Sequence, residues 1–137
     1  MFRSYSKEDL LETMSPVLQG LSGFDIEDWG QESANIVLTD NNKDFALFEL
    51  EYDKVYFGHI FCRNKRGKDA IEFSIKTLSF MFDNYAEVIN GLVPIENRHV
   101  TIMMRKLGFK FYGVINTEAG LMTHLILTKK EWRELHG

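Results

Sequence analysis

Residues 55–71 read VYFGHIFCRNKRGKDAI, and this stretch decides the fold that we predict for the chain. Its first part, Val55 to Cys62, is apolar and rich in aromatic and β-branched side chains, which is typical of a strand. Four cations follow within six residues, namely Arg63, Lys65, Arg66 and Lys68. From Lys68 to Phe82 the apolar side chains recur at helical spacing. The stretch therefore predicts a strand that leads through a basic turn directly into a helix.

The residues that precede this stretch predict an antiparallel meander. Apolar and alternating patterns predict strands over residues 35–39 and 45–52, with a strong turn signal between them. Farther upstream, we expect a short strand over residues 1–5, a helix capped by Ser6 and an irregular glycine-rich segment over residues 20–30.

The residues that follow predict strands and helices in alternation. We expect a strand over residues 87–93, a helix over 97–107, strands over 109–115 and 121–127, and a terminal helix from a capping box at Thr128 to Leu135. A meander followed by such crossovers implies an α/β (α+β) domain, with a mixed, mostly antiparallel central sheet of about six to seven strands flanked by helices. The length of 137 residues fits a single domain over residues 1–137.

The composition narrows the class of protein. The net charge of −4 gives no general attraction to nucleic acids or anionic membranes, and the basic run lacks interleaved aromatic residues. We therefore expect neither nucleic-acid nor membrane binding, and no uncharged apolar run reaches the roughly 18 residues that a membrane span needs. The single cysteine, Cys62, suits a reducing compartment, and residues 1–5 lack the apolar run of a secretory signal. These features predict a cytoplasmic protein.

Two interpretations of the basic turn are open from the residues alone. The start of a helix offers unpaired N–H groups and a partial positive charge, which together suit a phosphate. The same turn is equally compatible with a solvated surface loop. Residues 97–109 are open in the same way, since they also fit an ordinary amphipathic helix that ends at Gly108 before a core aromatic residue.

Taken together, these two segments resemble the GNAT superfamily of acetyl-CoA-dependent N-acetyltransferases. After its fourth strand, this family carries Arg or Gln, two residues, Gly, one residue, and then Gly or Ala. The run Arg66-Gly67-Lys68 opens that signature. A later family signature runs from Asn, through a position that is usually Tyr, to Lys and a Gly-Phe pair, and its matches here are Asn97, Lys106, Gly108 and Phe109. In its short length and its Arg-Gly-Lys-Asp-Ala variant, the chain also looks like small GNAT-like proteins of tailed bacteriophages.

The resemblance implies acetyl-CoA as co-substrate, an amine as acceptor and no metal. It places acetyl-CoA in a V-shaped opening between the strands over residues 55–62 and 87–93. Backbone N–H groups of the first strand would bind the thioester region, and the basic turn would hold the pyrophosphate. The cofactor-binding residues implied in this way are Ile60, Phe61, Cys62, Arg66, Gly67, Lys68, Asp69, Ala70, Ile71 and Asn97.

GNAT chemistry also needs a base that takes a proton from the acceptor amine. His59 has the best intrinsic pKa for this catalytic role, and Glu49 and Glu96 are alternatives. A histidine within a strand is also compatible with simple packing or surface exposure. Cys62 fits a small buried thiol better than a nucleophile. Tyr112 is a candidate to protonate the leaving thiolate, or else a packed residue of the sheet.

Three positions depart from the family pattern. Asp69 and Ile71 replace the signature small residues, and they add a negative charge and bulk beside the expected pyrophosphate. They favour weakened binding of acetyl-CoA and leave open that it is not bound. Met104 stands where many members hold the tyrosine that protonates the thiolate, and methionine has no proton to donate. Two functions therefore stay open. The chain is either an active N-acetyltransferase or an inactive GNAT-fold phage protein that acts through a protein partner, in the host cytoplasm or the virion. A homodimer is compatible with both.

Overall fold

The computed structural model describes residues 35–62 and 64–136. The predicted strand over residues 1–5, the helix capped by Ser6 and the segment over residues 20–30 lie outside the described residues. Arg63 of the basic turn lies outside them as well.

The described part of the chain forms six strands and three helices in the predicted order. They are β1 (Ile36–Thr39), β2 (Asp44–Tyr52), β3 (Val55–Cys62), α1 (Gly67–Asn84), β4 (Val88–Pro94), α2 (Arg98–Leu107), β5 (Lys110–Thr117), β6 (Gly120–Thr128) and α3 (Lys129–His136). Each element predicted from residue 35 onward is confirmed within two residues of its expected ends. None of these three helices is both long and apolar enough to cross a membrane.

The hairpin between β5 and β6 is tighter than the sequence predicts. The prediction of a turn from Asn116 to Gly120 is wrong, because Thr117 and Gly120 pair with each other and only the two residues between them form the turn. Gly120 has a φ of 112°, a backbone conformation that favours glycine. The Thr117 hydroxyl donates a hydrogen bond to the Gly120 carbonyl at 2.9 Å, which closes the turn.

The strands form one sheet in the order β1-β2-β3-β4-β6-β5. β3 and β4 are parallel, and every other neighbouring pair of strands is antiparallel. The prediction of a mixed, mostly antiparallel sheet flanked by helices is therefore confirmed. α1 connects β3 to β4, as expected for parallel neighbours, which require a crossover connection.

The two parallel strands stay paired over only part of their length. Their ladder starts at the first residue of β3 and ends at the pair Phe57–Asn90. Beyond that pair β3 continues to Cys62 and β4 continues to Pro94 without pairing to each other. The strands therefore stop pairing at the place where the sequence predicts the V-shaped opening.

One face of the sheet packs against α1. The buried strand residues of this face include Phe48, Tyr56, Ile89, Leu125 and Leu127, and they form one core cluster with Phe73, Leu78, Met81 and Phe82 of α1. The strand residues between them point to the opposite side, which we term the second face. The second face carries Glu49, Phe57, His59, Asn90 and His124. Most of the polar and titratable side chains near the V therefore lie away from the helical core.

Candidate functional site

We term the end of the β3–β4 ladder, at Phe57–Asn90, and the gap beyond it the fork. The other edge of β3 is paired to β2 as far as Cys62. Because main-chain groups of a strand point alternately to its two edges, alternate N–H and C=O groups beyond Phe57 point into the gap. An extended ligand can therefore hydrogen-bond to β3 as an added strand would. The binding residues predicted on β3 all lie on this stretch and are half-buried: Ile60, Phe61 and Cys62.

Asp44, at the start of β2, fixes the turn that connects β3 to α1. Its Oδ1 accepts hydrogen bonds from the main-chain N–H groups of Asn64 at 2.9 Å and Lys65 at 3.0 Å. Its Oδ2 accepts a third from the Asn41 side-chain amide at 2.6 Å. Burial raises the pKa of Asp44, but these hydrogen bonds and the charge of Lys65 together outweigh it, so the net shift is downward. A buried, charged carboxylate therefore holds the turn at neutral pH.

Sequence reasoning missed this role of Asp44. In the sequence, the residue is the last of five polar residues, 40–44, that signal a turn. Its contact with the turn between β3 and α1 depends on the β2–β3 register, which places Asp44 opposite Cys62. Only that register brings its carboxylate to the main chain that follows β3.

The first turn of α1 lies directly after this loop, at the open end of the V. Gly67 has a φ of 54°, a left-handed conformation that favours glycine. Arg66, the preceding residue, makes no side-chain capping bond, and its carbonyl accepts the N–H of Asp69 at 3.2 Å. The N–H groups of Gly67 and Lys68 have no partner within the helix. The helix thus presents N–H groups and the positive end of its dipole to an anion.

The other predicted residues of this turn differ in what they face. The Arg66 guanidinium donates from Nη1 to two main-chain carbonyls of the turn, at 3.0 and 2.8 Å, and so braces it. Ile71 packs against the core cluster, so its bulk is directed away from the turn. Ala70 is half-buried, whereas Lys68 and Asp69 are exposed. Of the two departures from the family signature in this turn, Asp69 is exposed at the helix start and Ile71 faces the core.

His59 lies on the second face, two residues after Phe57, which is the last residue of β3 that pairs with β4. Glu49 pairs with Phe57, which places the carboxylate diagonally across from His59 on the same face. Burial lowers the pKa of His59, and the charge of Glu49 opposes this shift without cancelling it. His59 is therefore uncharged at neutral pH, and one of its ring nitrogens carries a lone pair that can accept a proton. The structure brings two of the predicted catalytic residues, His59 and Glu49, to one side of the V.

The predicted residues that follow β4 lie farther from the fork. Glu96 is exposed in the turn between β4 and α2, well past the last ladder pair. Asn97 precedes α2, where its N–H donates to the Pro94 carbonyl at 2.9 Å and its carbonyl accepts the N–H of Thr101 at 3.4 Å. The structure therefore does not bring Glu96 together with His59.

Met104 of α2 packs against the main chain of β4. A side chain on Gly91 would collide with the Met104 methyl group, so the thioether lies directly on that glycine. This residue belongs to the helical side of the sheet and joins the edge of the core cluster. The position where the family usually holds a tyrosine is thus filled by an apolar contact without a proton to donate.

Two roles were predicted for Tyr112, and one of them, a packed residue of the sheet, is wrong, because 72% of the residue is exposed. The reason is that β5 is at one edge of the sheet formed by the described strands and has a register shift between Phe111 and Gly113. The Tyr112 ring lies edge-on to the imidazole of His124, with ring centroids 5.1 Å apart. Sequence reasoning missed His124, and its signal would have been a histidine in an otherwise apolar strand.

Cys62 should react slowly with alkylating reagents. Burial and the nearby Asp44 carboxylate raise the pKa of its thiol from 9.0 to about 11. Because the thiolate is the reactive form, we expect iodoacetamide labelling at pH 7.5 to be about 100-fold slower in the folded protein than after denaturation in urea. Mass spectrometry of timed samples measures both rates. Equal rates would contradict the burial of this thiol.

Solved N-acetyltransferase structures share this architecture. No protein-family model and no curated protein matches the sequence. A chimera of spermidine N-acetyltransferase SpeG from Vibrio cholerae and hSSAT has a TM-score of 0.76 at 15% identity, over 96% of this chain and 98% of that chain. Aminoglycoside acetyltransferase AAC(6′)-Ib in complex with coenzyme A and kanamycin has a TM-score of 0.69 at 14% identity, over 95% and 92% of the two chains.

A further structure of AAC(6′)-Ib, in complex with paromomycin and acetyl-CoA, has a TM-score of 0.70 at 14% identity, over 93% of this chain and 90% of that chain. Identities at this level establish the fold. The mixed sheet with its flanking helices, of which the described part of the chain contributes six strands, has the fold of the GNAT acetyltransferases, as the sequence predicts.

Proposed function

We propose that this protein is an N-acetyltransferase that transfers the acetyl group of acetyl-CoA directly to an amine. The observation that carries the proposal is the fork, where β3 and β4 separate after Phe57–Asn90. A helix start whose first N–H groups have no partner within the helix follows at the open end. A place for an extended thioester arm thus adjoins a place for a phosphate. The structural neighbours support the proposal, because they include acetyltransferases solved with CoA or acetyl-CoA.

In this proposal each part of the site has one task toward acetyl-CoA. The first turn of α1 binds the pyrophosphate through the N–H groups of Gly67 and Lys68. The unpaired edge of β3, around Ile60 and Phe61, hydrogen-bonds to the extended arm and the thioester carbonyl. Asp44 keeps the connecting turn in position for both contacts.

The second face of the sheet receives the acceptor amine. The exposed carboxylate of Glu49 attracts the cationic amine to the fork. His59 takes a proton from the ammonium group, since its lowered pKa leaves it neutral and ready to accept one. The amine nitrogen then attacks the thioester carbonyl carbon, and the C–S bond breaks with its electron pair on sulfur.

Calorimetric titration with acetyl-CoA, followed by a transfer assay, tests this proposal. We expect micromolar binding, and we expect thiol release together with acetylation of at least one amine in a panel that includes spermidine and kanamycin. No heat and no thermal shift at millimolar acetyl-CoA would contradict the proposal.

Replacement of Asp69 by asparagine should strengthen acetyl-CoA binding. The exposed carboxylate lies in the first turn of α1, beside the proposed pyrophosphate site. Two like charges about 4 Å apart in water repel by roughly 1 kcal/mol, so Asp69→Asn should lower the Kd about fivefold. The matched control is Glu72→Gln, an exposed acid later on the same helix, whose Kd should stay near that of the wild type. An unchanged or higher Kd for Asp69→Asn would place the pyrophosphate elsewhere.

A second function, contact with a protein partner without catalysis, is favoured by two other observations. Met104 replaces a proton donor, and the edge strand β5 exposes large apolar side chains. These are Phe111, Tyr112, Val114 and Ile115. A protein of this kind would bind its partner equally well with and without acetyl-CoA. In the acetyl-CoA titration described above it would give no heat, whereas the acetyltransferase would. The bacteriophage source, the cytoplasmic or virion location and the homodimer stay predictions.

A further inference from the structure

The imidazole of His124 lies at the fork, although its strand does not border the fork. β6 is separated from β3 by β4, and His124 pairs with Leu92 of β4. Its Nε2 is nevertheless 2.8 Å from Oδ1 of Asn90, and its ring centroid is 6.3 Å from that of Phe57 on β3. Asn90 and Phe57 are the last ladder pair. The side chain therefore reaches across β4 on the second face and ends beside the opening.

The neighbours of His124 fix its orientation and the ring nitrogen that donates a hydrogen bond. The buried Asn90 is only 6% exposed, and its amide oxygen can only accept a hydrogen bond. Nε2 of His124 is therefore the donor in this hydrogen bond, and Nδ1 is the ring nitrogen that does not face Asn90. Tyr112 packs edge-on against the same ring, at an interplanar angle of 65°. Because His124 is only half-buried, its ring remains accessible from the second face.

Acetyl transfer to a protonated amine requires two proton transfers away from nitrogen. A primary ammonium group carries three protons, whereas the amide product carries one. One of the departing protons reaches solvent, and the other ends on the sulfur of CoA, whose thiol is protonated near neutral pH. Met104 cannot deliver a proton to that sulfur. A group that both accepts and donates a proton is needed at the fork.

We propose that His124 is a catalytic residue that carries the second proton from the acceptor nitrogen to the leaving sulfur, with Asn90 as its positioning residue. This role rests on the proposed acetyltransferase function. His59 takes the first proton, which leaves a neutral amine. As the N–C bond forms and the C–S bond breaks, Nδ1 of His124 takes the excess proton from nitrogen and returns it to the thiolate. Free CoA thiol results and His124 returns to its starting form, so protons and electron pairs balance.

The replacement His124→Gln tests the role, because glutamine can still donate to Asn90 but cannot carry a proton. With acetyl-CoA and the panel amine that the wild type acetylates fastest, we expect kcat to fall about 10²–10⁴-fold. The calorimetric Kd for acetyl-CoA should stay unchanged. In His124→Ala, added imidazole should restore part of kcat, which a purely structural role of the side chain would not allow.

Two further variants separate position from chemistry. Asn90→Ala should lower kcat about tenfold, because roughly one hydrogen bond is lost. In ¹⁵N NMR spectra of this variant, the preference for hydrogen on Nε2 of His124 should disappear. The matched control is His99→Ala, which removes an exposed histidine of α2 and should leave kcat unchanged.

The outcomes distinguish this proposal from the function on which it rests. Wild-type kcat in His124→Gln, or no response of His124→Ala to imidazole, would overturn the role of His124 and leave the acetyltransferase intact. A wild-type protein that neither binds acetyl-CoA nor acetylates an amine would overturn both. Loss of kcat with retained acetyl-CoA binding and rescue by imidazole would support the proton carrier.

Discussion

Replacement of His59 by alanine should lower kcat for acetyl transfer by about 10²–10⁴-fold, the usual cost of losing a general base. His59 is the neutral, half-buried imidazole beside the fork, and Glu49 lies diagonally across from it on the second face. Acetyl-CoA binding should survive, because its proposed contacts are main-chain groups of β3 and α1. Steady-state kinetics with the best panel amine, together with calorimetry, measures the two effects separately.

The role of His59 also predicts how the rate of acetyl transfer by the wild type depends on pH. Burial lowers the pKa of His59 below 6.5, so the basic form predominates at neutral pH. The rate should therefore stay level as the pH falls to about 6.5 and should drop only as the pH passes through the lowered pKa. His59→Ala should lose the part of this acidic limb that follows the lowered pKa of His59. A variant that retains both the limb and the wild-type kcat would show that another group is the base.

Replacement of Asp44 by alanine should destabilise the fold by about 3–5 kcal/mol, because it removes a buried charged acceptor and leaves its donors unsatisfied. The donors are the main-chain N–H groups of Asn64 and Lys65 and the side-chain amide of Asn41. Urea denaturation measures the free energy of unfolding. Asp40→Ala is the matched control, since Asp40 lies in the same turn but is exposed, and its carboxylate is 3.5 Å from the Lys65 ammonium group. Its expected cost is about 0–1 kcal/mol.

The stabilisation by Asp44 should depend on pH in one direction. The folded state lowers the pKa of this carboxyl below its ordinary value of 3.8, so the folded protein binds a proton less readily than the unfolded chain. Its contribution is therefore complete above pH 3.8 and is lost as the pH falls through the lower, folded pKa. The difference in unfolding free energy between wild type and Asp44→Ala should shrink below pH 3.8. A difference that grows at low pH would contradict the charged carboxylate.

Asp44→Ala should also weaken acetyl-CoA binding where it still folds. Without the Asp44 carboxylate, the main chain at Asn64 and Lys65 is no longer held in place, so acetyl-CoA binding must order it. The entropic cost of this ordering is about 1–2 kcal/mol per residue, which raises the Kd tenfold or more. An unchanged Kd would show that the turn is held by other contacts, such as those of Arg66.

The sequence predicts β3 to the residue, and physical reasons make that possible. Val55–Cys62 is an apolar run bounded by polar turns, so its two ends are marked in the sequence itself. The hairpin at Thr117–Gly120 is less well marked, because polar residues such as Asn116 suit an exposed edge strand as well as a turn. Local pattern thus predicts the elements and, through chain order, the class of sheet.

The site could be predicted from the sequence only where its residues are close in the chain. The basic turn and the start of α1 are local, and the sequence places them correctly. Asn90 and His124 are 34 residues apart, and they meet because β6 lies next to β4 in the sheet. Asp44 meets the turn after β3 through the β2–β3 register. Strand order and register depend on packing across the whole sheet, which no short pattern contains.

Amide chemical-shift mapping of the ¹⁵N-labelled protein with acetyl-CoA tests the central claim most directly, since it reports both binding and place. We predict saturable shifts at micromolar acetyl-CoA that are concentrated in two segments. One is the unpaired edge of β3 from Gly58 to Cys62, and the other is the first turn of α1 from Gly67 to Ile71. An unchanged spectrum at millimolar acetyl-CoA, or shifts that avoid both segments, would contradict the account.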